Sequence, residues 1–416
     1  MEVEASAADI NELIPREQLE AVERPTLEAH TLPPKVYWSP EILELELEHV
    51  FFKEWLCVGR VEDIPNPGDF YTRTLATESL IVVRDADGEI RCHLNVCRHR
   101  GCEIISGSGT VKTFRCPYHG WMYSLDGELR ATPDFKETLN FDKKDYGLHT
   151  ARVEIWNNFI MVNLDPDATP FAGLVSEMDN WGFDKYDTSS FTTIATFDRT
   201  VACNWKVYVE NGAEEYHIPW VHPTLQDFAP MKGWADYPDL TDEPWMLMVG
   251  LFPGLSWGKD GGTLFPSRPG VAELAPEFSG TPIVMVFPSL TLLLSDDTMV
   301  WRQTVPDGPE RSTLWFGVCV PQETADALAA GDEDVRAKVD FYVSEVHRLS
   351  DEDQGIAEAQ QRGVRSRRAT QGRYCKHEPL AWLFDKRVAQ KAYLRNHAGS
   401  ADGHANGTGN GAVNGA

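Results

Sequence analysis

The chain has 416 residues, a formal net charge of −26, and is 42% hydrophobic and 11% aromatic, a balance that suits two or three globular domains and excludes a disordered or fibrous protein. So large a negative charge repels phosphate backbones and anionic lipid headgroups, which argues against nucleic-acid and membrane partners. No apolar run approaches the ~18 residues needed to span a bilayer, and the start Met1-Glu2-Val3-Glu4 lacks the basic leader of an export signal, so a soluble cytoplasmic protein is expected.

In chain order, residues 1–57 read as an N-terminal arm and a helix. The first forty residues are polar and acidic with scattered prolines, and are expected to pack over a neighbour or fray. Ser39-Pro40-Glu41 then opens an amphipathic helix through Ile42, Leu43, Leu45, Leu47, Val50 and Phe51, with Ser39 as N-cap and Pro40 at the first helical position. From 58 to 165 the pattern changes to short β-rich runs. Phe70–Leu75, Leu80–Arg84 and Ile90–Val96 are predicted strands, Asp85-Ala86-Asp87-Gly88 and Leu125-Asp126-Gly127-Glu128 are predicted turns, and Ile160–Leu164 closes the unit.

Two loops in this β-rich part carry chemistry. Cys97-Arg98-His99 is followed by Cys116-Pro117-Tyr118-His119-Gly120-Trp121, so each loop offers one thiolate and one imidazole. In a Rieske [2Fe–2S] centre one iron takes two cysteines and the other two histidines. Zinc also accepts two cysteines and two histidines, but usually from a C-x2-4-C pair and a distant H-x3-5-H pair. The interleaved order with Gly101 and Gly120 just beyond favours the cluster. The remaining cysteines, Cys57, Cys92, Cys102, Cys203, Cys319 and Cys375, are too sparse for a disulfide scaffold. Cys102, three residues past His99, is either a further ligand or disulfide partner or a small buried residue beside the cluster.

Residues 166–390 read as a mixed second domain. A helix through Glu177-Met178, a strand leading to Asn204-Trp205-Lys206 and a helical stretch to about residue 217 are expected. Four apolar runs, Ile283–Phe287, Leu290–Leu294, Met299–Val305 and Thr313–Val320, broken by turn residues, predict an antiparallel meander. Helices follow from about 322 to 362. Residues 391–416 include a Gly/Ala/Asn-rich tail from Ala398 and are expected to be disordered.

Behind an acidic cluster, His217 and His222 stand five apart. Two imidazoles and one carboxylate make the facial triad of non-haem Fe(II) oxygenases, which leaves positions open for O2 and substrate. Positions i and i+5 differ by about 140° on an unbroken helix, so Pro219 is expected to break the helix and re-aim His222. The third donor must be a distant acid. On sequence alone an acidic helix face such as that of Asp351, Glu352 and Asp353 is more often just solvated.

Cys-Arg-His-Arg-Gly, Cys-Pro-Tyr-His-Gly-Trp and the two histidines together resemble the oxygenase (alpha) component of the Rieske non-haem iron oxygenases, over about residues 40 to 390. The resemblance implies an α+β protein: an all-β Rieske domain plus a catalytic domain with an antiparallel sheet flanked by helices, of the helix-grip, START-like kind. It implies one [2Fe–2S] cluster on Cys97, His99, Cys116 and His119, and one mononuclear non-haem Fe(II) on His217, His222 and, in a Glu-Asp-x-x-hydrophobic-x-Glu-x-x-Gln helix, Asp353. Glu214 stands where the family has a carboxylate that bridges an iron histidine and the Rieske histidine of the next subunit. The glutamate there, in Asn211-x-x-Glu214-x-Tyr216-His217, is similar to the choline, glycine-betaine and carnitine monooxygenase branch. Asn211 is expected near the iron, or as a capping and packing residue like Asn204. Trp121 is expected to shield the cluster. Arg98 and Ser289 depart from the family pattern, in which a proline and an asparagine are common.

The resemblance further implies a homotrimer and O2-dependent hydroxylation or oxidative demethylation of a small substrate. No Gly-x-Gly-x-x-Gly follows a strand, so electrons from NAD(P)H are expected through a separate reductase or ferredoxin. An amine-type substrate is favoured. Hydroxylation of an aromatic ring or acid, and a non-catalytic electron carrier, are the alternatives. Trp245, Phe252, Trp257, Phe265, Phe287 and Trp301 are expected to divide between a hydrophobic pocket or cation-binding cage and plain core.

Overall fold

The structure, a computed structural model, describes residues 10–175, 187–225, 247–252, 263–266 and 281–394. The first β unit is a seven-stranded antiparallel sheet built from β1 (Leu56–Arg60), β2 (Asp69–Leu75), β3 (Glu78–Arg84), β4 (Ile90–Leu94), β5 (Ser108–Thr110), β9 (Thr150–Trp156) and β10 (Phe159–Asn163), in the order β1-β10-β9-β4-β3-β2-β5. Between β5 and β9 a small three-stranded sheet, β6 (Phe114–Arg115), β7 (Met122–Tyr123) and β8 (Leu129–Ala131), stands apart. It has its own apolar cluster around Phe114, Trp121, Tyr123 and Leu129, distinct from the main core.

The second unit is a six-stranded antiparallel sheet, β11 (Phe191–Val201), β12 (Leu247–Phe252), β13 (Thr281–Val286), β14 (Leu290–Leu294), β15 (Met299–Pro306) and β16 (Ser312–Pro321), in the order β11-β16-β15-β14-β13-β12. The expected meander is present as β13 to β16. β14, β15 and β16 are buried along nearly their whole length and are mostly apolar, as doubly buried strands are, whereas β11 is partly exposed along most of its length. Trp301 of β15 meets Phe159 of β10 with ring centroids 6.3 Å apart, which joins the two β units. The long helix Glu333–Val364 belongs to the same unit, and Asp332 caps it by accepting from the amides of Asp334 and Val335 at 3.0 and 3.1 Å. Val339, Tyr342, Val346, Ser350, Ala357 and Gln361 form its buried stripe.

Several expectations are corrected. The N-terminal arm neither frays nor waits for a neighbour from residue 10 onward. Ile14, Leu19, Val22, Leu32 and Val36 are buried in the chain's own core, and Trp382, Gln371 and Arg373 donate to the carbonyls of Val22, Thr31 and Ala29. Isolated apolar residues every three to five positions are enough to seat the arm, although its composition is polar. Ser39 occupies the N-cap position of the helix Pro40–Glu46, but its hydroxyl donates to Glu41 instead of capping. The helix expected to reach 217 ends at Gly212, and Ile218–Val221 is a separate single turn. The helices expected from about 322 to 362 are present as Gln322–Ala329 and Glu333–Val364. Residues 391–394, expected to be disordered, belong to the helical segment Ala389–Leu394 with Ala392 and Tyr393 buried, while the helix through Glu177-Met178 and the tail from Ala398 lie outside the described residues. No helix among the described residues is long and apolar enough to cross a membrane.

Candidate active site

The two Cys/His loops fold alike. In each, the Cys amide donates to the carbonyl five residues on, Cys97 to Cys102 and Cys116 to Trp121, both at 2.8 Å. The glycine four residues on donates back to the Cys carbonyl, Gly101 at 2.9 Å and Gly120 at 3.0 Å. Both glycines hold positive φ, 68° and 73°, where a Cβ is disfavoured. This geometry brings the rings of His99 and His119 to 4.6 Å between centroids and sets the Cys116 thiol beside that of Cys97.

Burial pushes the Cys97 thiol up, against a hydrogen bond with the Tyr123 hydroxyl 3.3 Å away. A buried thiol pair becomes thiolate when metal ions supply the compensating charge. His99 Nδ1 is buried with no hydrogen-bond partner, which suits an imidazole whose free lone pair meets a metal. The four residues therefore fit a cluster bound between the loops. Trp121, itself buried, stacks on His99 at 4.9 Å and 10° between planes. His119 is exposed under Tyr118, ring centroids 3.7 Å apart. Arg98 has a structural use: its side chain donates to the Gly147 carbonyl at 2.8 Å, and its amide donates to the Tyr123 hydroxyl at 3.1 Å. Cys102 is half-buried and bonds the Glu103 carbonyl at 3.2 Å, and all eight cysteines are free thiols.

The second donor set sits between the helix Trp205–Gly212 and the long helix. His217 is the N-cap residue of Ile218–Val221 and His222 its C-cap residue, with Pro219 in the first turn. Pro219 therefore starts a short helix, where its missing N–H costs nothing; the break lies before it, at 213–217. His222 takes a non-helical backbone, φ −116° and ψ 61°, and the two rings meet at 5.3 Å. Nε2 of His222 lies 2.9 Å from Asp353 Oδ1, and Nε2 of His217 lies 3.6 Å from the same oxygen. The three ligand atoms fall within 4.8 Å of one another. A divalent iron with open positions fits such a set.

The opposite ring nitrogens are held as well. His217 Nδ1 bonds Glu214 Oε1 at 2.5 Å, while the His217 amide donates to Glu214 Oε2 at 3.0 Å. Glu214 thus reaches His217 through a capping turn and not along a helical face. His222 Nδ1 bonds Glu352 Oε2 at 2.7 Å, and Arg348 donates to Glu352 Oε1 at 2.7 Å. Carboxylates accepting Nδ1–H fix the tautomer that leaves Nε2 with a lone pair. Successive helix residues diverge by about 100°, and this separates the three acids: Asp353 faces both Nε2 atoms, Glu352 takes the outer edge of His222, and Asp351 pairs with Arg199 with its side chain 68% exposed. Burial would raise Asp353, but hydrogen bonding and charge from His222, then His217 and Arg302, hold its carboxyl below the ordinary value.

Asn211 lines a cavity of about 230 Å³ with Glu210, Glu214 and His217. Asn204 is the capping residue, accepting from the Lys206 amide at 3.1 Å and donating to the Pro309 carbonyl at 2.7 Å. Of the aromatic candidates, Trp301 is removed from the pocket: it is fully buried against Phe159 and Gly317. Phe287 packs on Phe384 at 6.4 Å, and Phe265 is buried. Trp245, Trp257 and the Phe252 side chain lie outside the described residues. Ser289 is a buried turn residue whose hydroxyl accepts from Gln303 Nε2 at 2.7 Å. Sequence reasoning missed Arg348, which orients Glu352 behind His222, because its partner is set by the helix face and not by a motif.

Comparison with known proteins agrees with this geometry. Residues 54–147 match the Rieske [2Fe-2S] domain model and residues 178–392 match that of the ring hydroxylating alpha subunit (catalytic domain). The carnitine monooxygenase oxygenase subunit of Acinetobacter pittii is 29% identical over 348 residues, covering 82% of this chain and 86% of that one. The chloroplastic choline monooxygenase of Beta vulgaris is 34% identical over 205 residues, 48% of this chain and 46% of that one. A quaternary ammonium Rieske monooxygenase solved with L-carnitine shares the fold, with a TM-score of 0.73 at 24% identity over 90% of this chain and 98% of the other. The chain belongs to the ring-hydroxylating oxygenase alpha-subunit family, and is a Rieske-type terminal oxygenase that uses a [2Fe–2S] cluster and a mononuclear non-haem iron.

Proposed function

We propose that this oxygenase hydroxylates or oxidatively demethylates a small amine, inserting one atom of O2 and releasing the other as water. The single observation that carries the reading is the triangle of His217 Nε2, His222 Nε2 and Asp353 Oδ1, with Glu214 on the far nitrogen of His217. His217, His222 and Asp353 would hold the mononuclear iron, and Cys97, His99, Cys116 and His119 the cluster. Bound there, the iron activates O2 and the cluster passes on electrons singly. Glu214 and Glu352 keep both imidazoles in the metal-binding tautomer. Asn211 lines the cavity beside Glu214 and is assigned to positioning at that edge. Glutamate at 214, in Asn211-x-x-Glu214-x-Tyr216-His217, and the carnitine and choline monooxygenase relatives support an amine over an arene.

The same reading divides the chain into an arm and helix at 1–57, a Rieske domain at 58–165, a catalytic domain at 166–390 and a tail. It also assigns a homotrimer in which Glu214 meets His119 of the next subunit. Exposed aromatic residues on both sides support this: Tyr118 is 56% exposed beside His119, and Trp220 is 80% exposed near His217. A separate reductase or ferredoxin supplies NAD(P)H electrons, in the cytoplasm. The test is turnover under 18O2 with NADH and a surrogate reductase, with mass spectrometry of products from quaternary amines and from aromatic acids. One labelled oxygen in an amine-derived product or its aldehyde is expected. A doubly labelled cis-diol from an arene overturns the amine reading.

A further inference from the structure

Arg302 is a half-buried cation, and among the described residues no anion pairs with its guanidinium. It projects from β15, directly across from Thr291 of β14, so both side chains share one face of the sheet. Its Nε and one terminal nitrogen are buried with no hydrogen-bond partner, and no ion pair reaches it among the described residues. These two nitrogens form one edge of the guanidinium, the side-on fork that grips a carboxylate with two parallel N–H donors. The Tyr208 hydroxyl and Thr291 Oγ1 are likewise buried without partners.

The helix Trp205–Gly212 fixes the guanidinium in place. Tyr208 and Gly212 are one helical turn apart and share a face. The Arg302 guanidinium carbon lies 4.6 Å from the centre of the Tyr208 ring, and a Cβ at Gly212 would come within 2.2 Å of the terminal nitrogen. An aromatic floor and a bare Cα therefore hold the fork rigid. The fork therefore lies against the helix whose last turn carries Asn211, which lines a cavity with Glu214 and His217. A guanidinium edge buried without a partner is costly, and a carboxylate ligand would complete it.

We propose that Arg302, with Thr291 and Tyr208, binds a carboxylate of the substrate, so that the substrate is a betaine-type amino acid carrying both a methylated nitrogen and a carboxylate, and not an amino alcohol such as choline. This rests on the amine-oxygenase reading above and deepens it.

The test uses full-length, iron-loaded protein, with affinity measured anaerobically by calorimetry and turnover measured separately. The probes are glycine betaine, choline, which keeps the quaternary nitrogen and lacks the carboxylate, and benzoate, which keeps only the carboxylate. Glycine betaine is expected to bind well above choline. Arg302→Gln should weaken it about 10- to 100-fold, the loss of a charge-assisted pair, with choline unchanged; Arg302→Lys should recover part of the loss. Gly212→Ala, which evicts the terminal nitrogen, and the near-isosteric Thr291→Val should weaken glycine betaine selectively, and thermal unfolding verifies that each variant is folded. Equal affinity for choline and glycine betaine in the parent protein, or an equal loss for both in Arg302→Gln, overturns the proposal. Arg302-dependent binding of benzoate with no binding or turnover of either amine sinks the amine reading and leaves the carboxylate site standing. Failure of all three probes to bind overturns both.

Discussion

Asp351, Glu352 and Asp353 are adjacent acids to which the structure gives three different positions, and neutralising each in turn separates them. Asp353→Asn removes the anionic donor that faces both Nε2 atoms. Iron should fall from about three to about two per chain, the pair that remains belonging to the cluster, with the cluster spectrum intact. Glu352→Gln leaves the metal-facing atoms in place but weakens the 2.7 Å bond to His222 Nδ1 and the Arg348 pair. Loss of such an outer partner costs about 10- to 100-fold in metal affinity or turnover. Asp351→Asn breaks only an exposed pair with Arg199, worth about 1 kcal/mol or less, so activity should stay within about fivefold. Iron analysis, visible spectra of the cluster and substrate-dependent NADH consumption read all three. Loss of mononuclear iron in Glu352→Gln with retention in Asp353→Asn would falsify the assignment and exchange the roles of the two acids.

Other consequences follow from the same structure. Glu214→Gln should keep both metals yet slow reoxidation of the reduced cluster by O2 and substrate, by about 10-fold or more; stopped-flow absorbance tests this, and an unchanged rate removes Glu214 from the electron path. Gly317→Ala places a Cβ 1.9 Å from Trp301 Nε1, where β15 and β16 pair. Overpacking there should cost about 1–3 kcal/mol or more, and a variant melting with the parent protein would contradict the packing described. Burial raises the Asp385 carboxyl to about 6, with Tyr374, Glu210 and the Leu32 amide opposing as hydrogen-bond partners. Glu210, buried beside it, is raised too. The folded state therefore holds more protons than the unfolded one between about pH 4 and pH 6, so this site's contribution to stability is present below that window and is lost as pH rises through it. Asp385→Asn should flatten the dependence in denaturant unfolding; an unaltered pH slope would place the titration elsewhere.

Local signals carry the most structure. The antiparallel runs from β13 to β16 follow from apolar stretches and turn residues that act over a few positions. The N-terminal arm and the segment around His217 are not legible in the sequence because their structure depends on side-chain partners outside the local pattern. Val22 is held by Trp382, and the turn at 213–217 is shaped by a carboxylate closing on an amide. The aromatic residues could not be sorted at all without the fold, since alternation along β15 sends Trp301 to the sheet face that packs on β10 and Arg302 to the other.

By itself the sequence determined the chemistry available: two Cys/His loops whose spacing matches a binuclear cluster, two histidines near an acid, and a shortage of disulfide or nucleotide motifs. Those are short-range facts, because a loop of four or five residues can present its donors wherever it is placed. Only the tertiary structure decided which acid meets the histidines and which charge is left without a partner. His222 and Glu352 are 130 residues apart, and a helix that turns about 100° per residue makes neighbouring acids face different surroundings.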